Sequence, residues 1–436
     1  MMGTKAVLDR GDKIRSTQRR VLFPCVTTLY KEPLVISEAK GVRVKDVNGV
    51  EYLDFFAGIL TTSVGHCNPN VVASVQHQVA KLGHTSTLYI TENQLKVAEQ
   101  LEAISPGRLS TCYFTNSGSE AVETAIMLAQ QYTGRNEIIA LRHSYSGRTA
   151  LAATLSGHAG WRPSAGGISH IRHAMVPYPY RAPDSLSEEE MAEMFARDLE
   201  EVIRTTTNGK PAAFFAETIQ GVGGVVVPPA GYFQKAAEII HRYGGLFICD
   251  EVQPGFGRTG KHWFGIEHWD VEPDIMVMAK GMANGFPVGA TITRPEIAAS
   301  WKDKTISTFG GNSVAMAAAH ATLQVMQEED VPQRSEKRGR QLRAGLQTLY
   351  NKYQWIGQVR GKGLMQGMEL VHDRSTKEPA PQKVKALLEA TKKEGLLVGV
   401  GGLDGQTIRI GPSMLITEDE MNEALQRLDR ACALVG

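Results

Sequence analysis

Between residues 110 and 295, short apolar runs recur at intervals long enough to hold a helix. TCYFTN (111–116), EIIAL (137–141), AAFFAE (212–217), LFIC (246–249), IMVMA (275–279) and GATIT (289–293) read as strands. Several are apolar throughout instead of alternating with polar residues, the pattern of a strand covered on both faces. SEAVETAIMLAQQYTG (119–134) has helical periodicity, with Ala121, Val122, Ala125, Ile126, Leu128, Ala129 and Tyr132 on one stripe and Gly134 as a stop. Strands alternating with helices predict an α/β fold with a mostly parallel central sheet and right-handed crossovers.

A chain of 436 residues is too long for one compact core. A large domain is expected over 61–330, with a smaller α+β domain built from both termini, 1–60 and 331–436. In the N-terminal part, KGVRVKDVNGVEYLDF (40–55) predicts a hairpin turning at Asn48-Gly49. PYPYRAPDSLSEEE (177–190) reads as a surface excursion and HDRSTKEPAPQK (372–383) as a loop. LLVGV (396–400) and TIRIG (407–411) follow, then a last helix announced by the capping-box pair Thr417 and Glu420.

Composition excludes several classes of partner. The formal net charge is +1, which gives no electrostatic footprint for nucleic acid or an anionic membrane. No apolar run approaches the roughly 18 residues of a spanning helix. The first residues lack the apolar centre of a secretory signal, and Asp9 and Asp12 count against a transit peptide. Cys25, Cys67, Cys112, Cys249 and Cys432 have no paired spacing, so neither a disulfide framework nor a zinc site is expected. These features predict a cytoplasmic protein with reduced thiols and no metal.

The chemistry is expected where the apolar runs end in charge. LFICDEVQ (246–253) ends on Asp250 and Glu251, and IMVMAKG (275–281) ends on Lys280. A lysine straight after a buried strand is costly to desolvate unless something uses it. In open α/β sheets ligands sit beyond the carboxyl ends of strands, and NSGSEA (116–121) falls there too. Gly118 and Ser119 suit a phosphate cradle at a helix N-terminus; Ser117 or Ser119 equally suits a plain helix cap. A pyridoxal cofactor needs a Schiff-base lysine, an acid for its ring nitrogen and a phosphate site, and all three parts are present. A structural ion pair between Asp250 and Lys280 is the competing reading. Arg148 in HSYSGRT (143–149) and Arg409 in TIRIGP (407–412) can each clamp a carboxylate or form an ordinary surface salt bridge. GFGRTG (255–260) has dinucleotide-fingerprint spacing, but KHWFGIEHWD follows it with no helical stripe. A mobile glycine-rich turn is expected instead. His66, His143 and Cys67 lack companions for metal or nucleophilic chemistry and read as structural.

NSGSEA, HSYSGRT, ETIQGVGG, CDEVQPGFGRTG, MAKGMANGFPVGA and TFGGN, in this order, closely resemble the class III aminotransferases of pyridoxal-phosphate fold type I. The likeness runs from about residue 20 to the C-terminus and includes the 4-aminobutyrate, acetylornithine and mitochondrial alanine–glyoxylate types. The segment GILTTSVGHCNPN (58–70) is most similar to the last. The resemblance implies that Lys280 carries pyridoxal 5'-phosphate and then moves protons, while Asp250 keeps the ring nitrogen protonated. It implies that Val252 and Tyr145 cover the two ring faces and that Gln253 meets the phenolic oxygen. Ser117, Gly118 and Ser119 would hold the phosphate, and Glu217 would lie near cofactor and substrate. Thr308 would reach the phosphate of a neighbouring subunit, because family dimers share their sites; the assembly expected is a homodimer or tetramer. Arg409 would bind the α-carboxylate, Arg148 a distal carboxylate, and Ile59, with Leu60, Tyr89 and Trp161, would shape the pocket.

The implied reaction is ping-pong transfer of an amino group from an ω-amino acid (4-aminobutyrate or β-alanine) or alanine to pyruvate, glyoxylate or 2-oxoglutarate. Phospho-lyase, racemase and aminomutase chemistry of the same superfamily are the alternatives. One departure bears on substrate: QGVGG (220–224) has Val222 where the ω-amino-acid enzymes resemble one another in a glutamate that pairs with the arginine at the position of Arg409. Ser146 likewise stands where the family usually has histidine.

Overall fold

The computed structural model describes residues 10–163 and 167–436; Asp9 and the start of the expected N-terminal part lie outside them. Its centre is a seven-stranded sheet of β1 (Thr111–Thr115), β2 (Ile138–Leu141), β3 (Ile171–Ala174), β4 (Ala213–Glu217), β5 (Leu246–Asp250), β6 (Ile275–Met278) and β7 (Gly289–Thr293). The spatial order is β1-β7-β6-β5-β4-β2-β3. The pairs β2–β3, β2–β4, β4–β5 and β5–β6 are parallel. Strand β7 runs antiparallel to both β6 and β1. The chain between Met278 and Gly289 holds only a single short turn, Lys280–Ala283, too little for the crossover that a parallel return requires.

The apolar runs are explained by burial on both faces. In β4, Phe214 and Phe215 are adjacent and both essentially inaccessible. They belong to different core clusters: Phe214 packs with Leu199, Phe233 and Phe247, and Phe215 with Ala125, Ile126, Ile248 and Val277. Each such side chain contributes roughly 1.5–3 kcal/mol through burial. The helix Gly118–Thr133 covers one face and ends on Gly134 in the left-handed region, φ 66. Its predicted stripe is buried except for Tyr132, which is exposed, while Thr124 is buried in its place.

Two four-stranded sheets flank this core. One joins Ile36–Lys40, Arg43–Asp46 and Glu51–Asp54 to Leu396–Leu397; the other joins Ile356–Lys362, Met365–Leu370, Thr407–Ile410 and Gly399–Gly401. Leu396–Leu397 pairs in parallel with Leu53 and Asp54, so sequence-distant segments share a sheet. The 43–54 hairpin turns at Asn48-Gly49 with Gly49 at φ 82. The final helix, Glu418–Val435, carries the reciprocal Thr417–Glu420 cap.

Two local expectations change, and one strand was not expected. The 177–190 stretch is no simple excursion: Tyr178 is buried, and Ser187 and Glu190 form a capping box opening the helix Glu188–Thr206. The GFGRTG turn is packed into the interior: Arg258 is 1% exposed and residues 255–260 are all buried. Strand β3 (IRHA) has too short and mixed a pattern to be visible in the sequence. Among the described residues, no helix is long and apolar enough to cross a membrane, and no group of three His, Cys, Asp or Glu could hold a metal. All five cysteines are free.

Candidate active site

The carboxyl edge of the sheet gathers Glu217, Asp250 and Lys280. Glu217 and Asp250 end β4 and β5 and are direct neighbours in the parallel register. Lys280 follows β6, held at φ 44, a strained region for a side chain with a Cβ. The next residue, Gly281, admits no side chain, because a Cβ there would lie 2.6 Å from Ser63 Oγ. Backbone strain and close packing thus fix where the lysine leaves the chain.

These residues line a cavity of about 180 Å³ with Ser117, Gly118, Ser119, Tyr145, Ser146, Gly147, Arg148, Val252, Gln253 and Ala279. At one end lies the N-terminus of the 16-residue helix Gly118–Thr133. Ser117 is its cap, accepting the Glu120 N–H, and Gly118 and Ser119 contribute to the wall. The cap and cradle readings therefore hold together. Ser119 Oγ accepts the Arg148 N–H at 3.1 Å. Gly147, at φ 135, lets the HSYSGRT loop close on Ser119; a Cβ there would meet Ser119 Oγ at 2.4 Å. Tyr145 stands edge-on to Trp161, with ring centroids 5.8 Å apart.

The electrostatics are set by burial. Asp250 Oδ1 accepts the Val252 N–H at 3.0 Å, and Oδ2 forms no hydrogen bond among the described residues. Burial pushes the Asp250 carboxyl up, opposed by the Val252 N–H and by Lys280. Glu217 is pushed up by burial and by the neighbouring Asp250 charge. Its oxygens accept the Tyr145 N–H at 3.0 Å and the Gly221 N–H at 2.8 Å, tying together the two loops beside the cavity. Burial lowers Lys280 to about 8, with Arg409 adding to the effect and Asp250 and Glu217 opposing it. Lys280 Nζ makes no hydrogen bond among the described residues. An ion pair between Asp250 and Lys280 within 4 Å, the competing reading, is not formed.

Arg409 arrives from the strand Thr407–Ile410 and is 3% exposed. Its Nη2 donates to Gln253 Oε1, its guanidinium lies 5.2 Å from the Phe56 ring centroid, and its Nε is unpartnered. Burial lowers it to about 10, with Glu217 opposing. No carboxylate pairs with it among the described residues. The Val222 C=O accepts the Gly402 N–H at 2.8 Å on the loop just before the Arg409 strand, and no acidic side chain enters from there. Arg148 is exposed at the cavity rim and has no ion-pair partner among the described residues.

Ile59, Leu60, Tyr89, Trp161 and Thr308 stand apart from this wall, and Arg409 meets it through Gln253. Ile59 is 45% exposed with φ 66, and Thr308 is exposed on the segment after Trp301. Other residues entered unannounced. Ser146 and Gly147 line the cavity from within the quoted HSYSGRT motif, and Ala279 from the end of β6; Phe56 beneath Arg409 had no sequence signal. Glu251, beside Asp250, faces elsewhere: it accepts from Thr218, Cys249, Gly265 and Ile266, and burial raises it to about 7.

The family described as Aminotransferase class-III matches residues 27–432. An Arabidopsis thaliana protein named alanine–glyoxylate aminotransferase 2 homolog 2, mitochondrial, is 40% identical over 420 residues, covering 96% of this chain and 87% of that one. A leucine/methionine racemase from Thermococcus litoralis is 37% identical over 424 residues, covering 94% and 93%. The solved omega transaminase of Pseudomonas jessenii in complex with PMP superimposes with a TM-score of 0.91 at 27% identity, covering 96% of this chain and 97% of that one.

Proposed function

The chain belongs to the class-III aminotransferases of fold type I, and from that premise we propose that it moves the amino group of an α-amino acid of the alanine kind to a small 2-oxo acid such as glyoxylate or pyruvate. The observation that carries this reading is Arg409: a buried guanidinium whose only acceptor among the described residues is the neutral Gln253 amide. A buried cation without a counter-charge is costly, and an α-carboxylate relieves that cost through two parallel hydrogen bonds. Donor and acceptor both carry one in this reading. A donor with a carboxylate only at its far end leaves Arg409 uncompensated, because Val222 supplies no acid. The likeness to a relative named alanine–glyoxylate aminotransferase points the same way. A second reading, an ω-amino acid donor such as β-alanine or 4-aminobutyrate, is favoured by Arg148, a free cation at the cavity rim.

Enzymes of this family use pyridoxal phosphate, and the residues present fit it. Lys280 Nζ and Asp250 Oδ2 have no partner among the described residues and face one cavity, and Gly118 and Ser119 open a long helix at its end. Bound there, the cofactor supplies an electron sink for charge released at the carbon beside the amine. Asp250 would hold a proton on the ring nitrogen through charge pairing. Lys280, lowered toward neutrality by burial, takes up and returns the proton of the substrate carbon as general base and acid. Arg409 orients the substrate so that this carbon stays within reach of Nζ. Glu217 fixes Tyr145 and Gly221 beside the ring site.

A homodimer sharing its sites is part of the same proposal. Leu88, Tyr89 and Ile90 are 68%, 68% and 87% exposed, and Ile306 and Phe309, flanking Thr308, are 66% and 58% exposed. Thr87 N–H donates to Ser307 C=O, which joins the two segments into one apolar patch of the kind that marks an interface. The patch supports reading Thr308 as part of the surface a second copy would cover, and sedimentation of the purified protein tests it.

The donor assignment is tested by single-turnover conversion of the yellow enzyme with alanine, β-alanine and 4-aminobutyrate, followed by absorbance. Alanine should react with the highest kcat/KM, and glyoxylate or pyruvate should restore the starting spectrum. Faster reaction with the ω-amino acids would transfer the assignment to the second reading. Loss of alanine optical activity without any 2-oxo acid would favour a racemase.

A further inference from the structure

A second polar cavity, of about 240 Å³, lies beside Arg360, whose guanidinium holds the Gly224 carbonyl. Its wall includes Arg343, Arg360, Lys362, Gln358 and Tyr178. An adjoining cavity shares Arg343 and Lys362 and adds Arg340. Two consecutive elements, the helix Val331–Lys352 and the strand Ile356–Lys362, thus bring cations to one space.

The donors on these cations divide into used and unused. Arg360 is 6% exposed and fully engaged. Its Nε and Nη2 donate to the Gly224 C=O at 2.9 and 2.6 Å, and Nη2 also donates to Thr407 Oγ1 at 3.1 Å. Its Nη1 meets Gln358 Oε1 at 3.0 Å and Glu369 at 2.7 Å. Glu369 is itself shared with Arg181 and Tyr178. Arg360 therefore gives the cavity charge but no free hydrogen. Arg343 makes one hydrogen bond, to Gln366 Oε1 at 3.1 Å, and has no ion pair among the described residues. Lys362 Nζ has neither. Glu336 and Glu188 act on Lys362 only at longer range, and Glu336 pairs with Arg340.

Partly buried cations with unused donors around a shared recess are the elements of an anion site. We propose that this cavity binds a small oxyanion of charge −2, a phosphate or a dicarboxylate. Arg343 offers a planar fork to one oxygen pair and Lys362 caps it, while Arg360, fixed by Glu369 and Gly224, adds field from behind. The site is separate from the one that holds the cofactor, and none of its residues belongs to the catalytic cavity.

The test is isothermal titration of the cofactor-loaded enzyme with inorganic phosphate and, separately, with succinate at low ionic strength. The parent should bind at least one of them, and Arg343→Gln/Lys362→Gln should lose that site or bind about tenfold or more weakly. Aminotransferase activity without added anion should be unchanged in this variant. Tighter binding of phosphate would assign a phosphate-bearing ligand, and tighter binding of succinate a dicarboxylate. Equal binding by parent and variant, or no binding of either probe by the parent, overturns the proposal. Should the double variant fail to fold, Lys362→Gln alone, at a partly exposed position, decides in the same way.

Discussion

Replacing Arg409 with glutamine separates recognition of the α-carboxylate from every other part of catalysis. In the parent, the guanidinium is 3% exposed, so its bonds to a carboxylate form away from competing water. Two charge-assisted hydrogen bonds contribute roughly 1.5–3 kcal/mol each. Glutamine keeps one neutral donor and recovers part of that. A net loss of about 3 kcal/mol corresponds to more than a hundredfold in kcat/KM for alanine. The same loss should appear for glyoxylate or pyruvate in the second half-reaction, because both carry the carboxylate. A primary amine without a carboxylate never uses that contact, so its rate should stay within a few-fold of the parent. Arg148→Ala supplies the contrast. That side chain is exposed and screened, and removing it should weaken alanine by less than about 1 kcal/mol, or fivefold. It should act mainly on donors with a distal carboxylate. The assay is stopped-flow absorbance of each half-reaction, with thermal melts to confirm folding. The melting temperature of Arg409→Gln should stay within a few degrees, since the parent residue has one hydrogen bond and an orphaned Nε. Equal losses for alanine and for the simple amine would refute the assignment of Arg409.

Lys280→Ala should abolish turnover while leaving the fold intact. In the parent, Nζ is lowered from 10.5 to about 8, so the neutral amine becomes available near pH 8. The rate at which the cofactor-free chain captures pyridoxal phosphate should rise through that range and level off above it. A rate still climbing steeply at pH 10 would contradict the depressed value. Gly147→Ala places a Cβ 2.4 Å from Ser119 Oγ in a backbone conformation that disfavours it; the variant should lose cofactor on dialysis far faster than the parent, read from the fall in its visible band. Glu251→Ala leaves the buried Gly265 and Ile266 N–H groups without an acceptor. It should destabilise by roughly 3–5 kcal/mol, seen as a lowered melting temperature in protein that still binds cofactor when folded.

The chemical core of the site is local in the chain. Asp250 and Lys280 each follow a run of residues that can only be buried strand, and a charge at such an end is conspicuous because burying it unused is expensive. Uniform apolarity likewise announced a sheet covered on both faces, since a side chain's tolerance for water does not depend on its partners. Pairing and burial of polar groups do depend on them. No local pattern marked IRHA as the edge strand β3, because its place comes from pairing with β2. Nothing in GFGRTG shows that Arg258 is sealed against the Leu364 and Pro412 carbonyls, contacts that span more than a hundred residues. The meeting of Arg409 with Gln253 was likewise decided only when distant segments packed, and that of Arg343 with Arg360 and Lys362 only when one helix folded back on the strand that follows it. A chain's order sets which side chains resist water; three-dimensional packing sets which charges are left without a partner, and those are the ones available to a ligand.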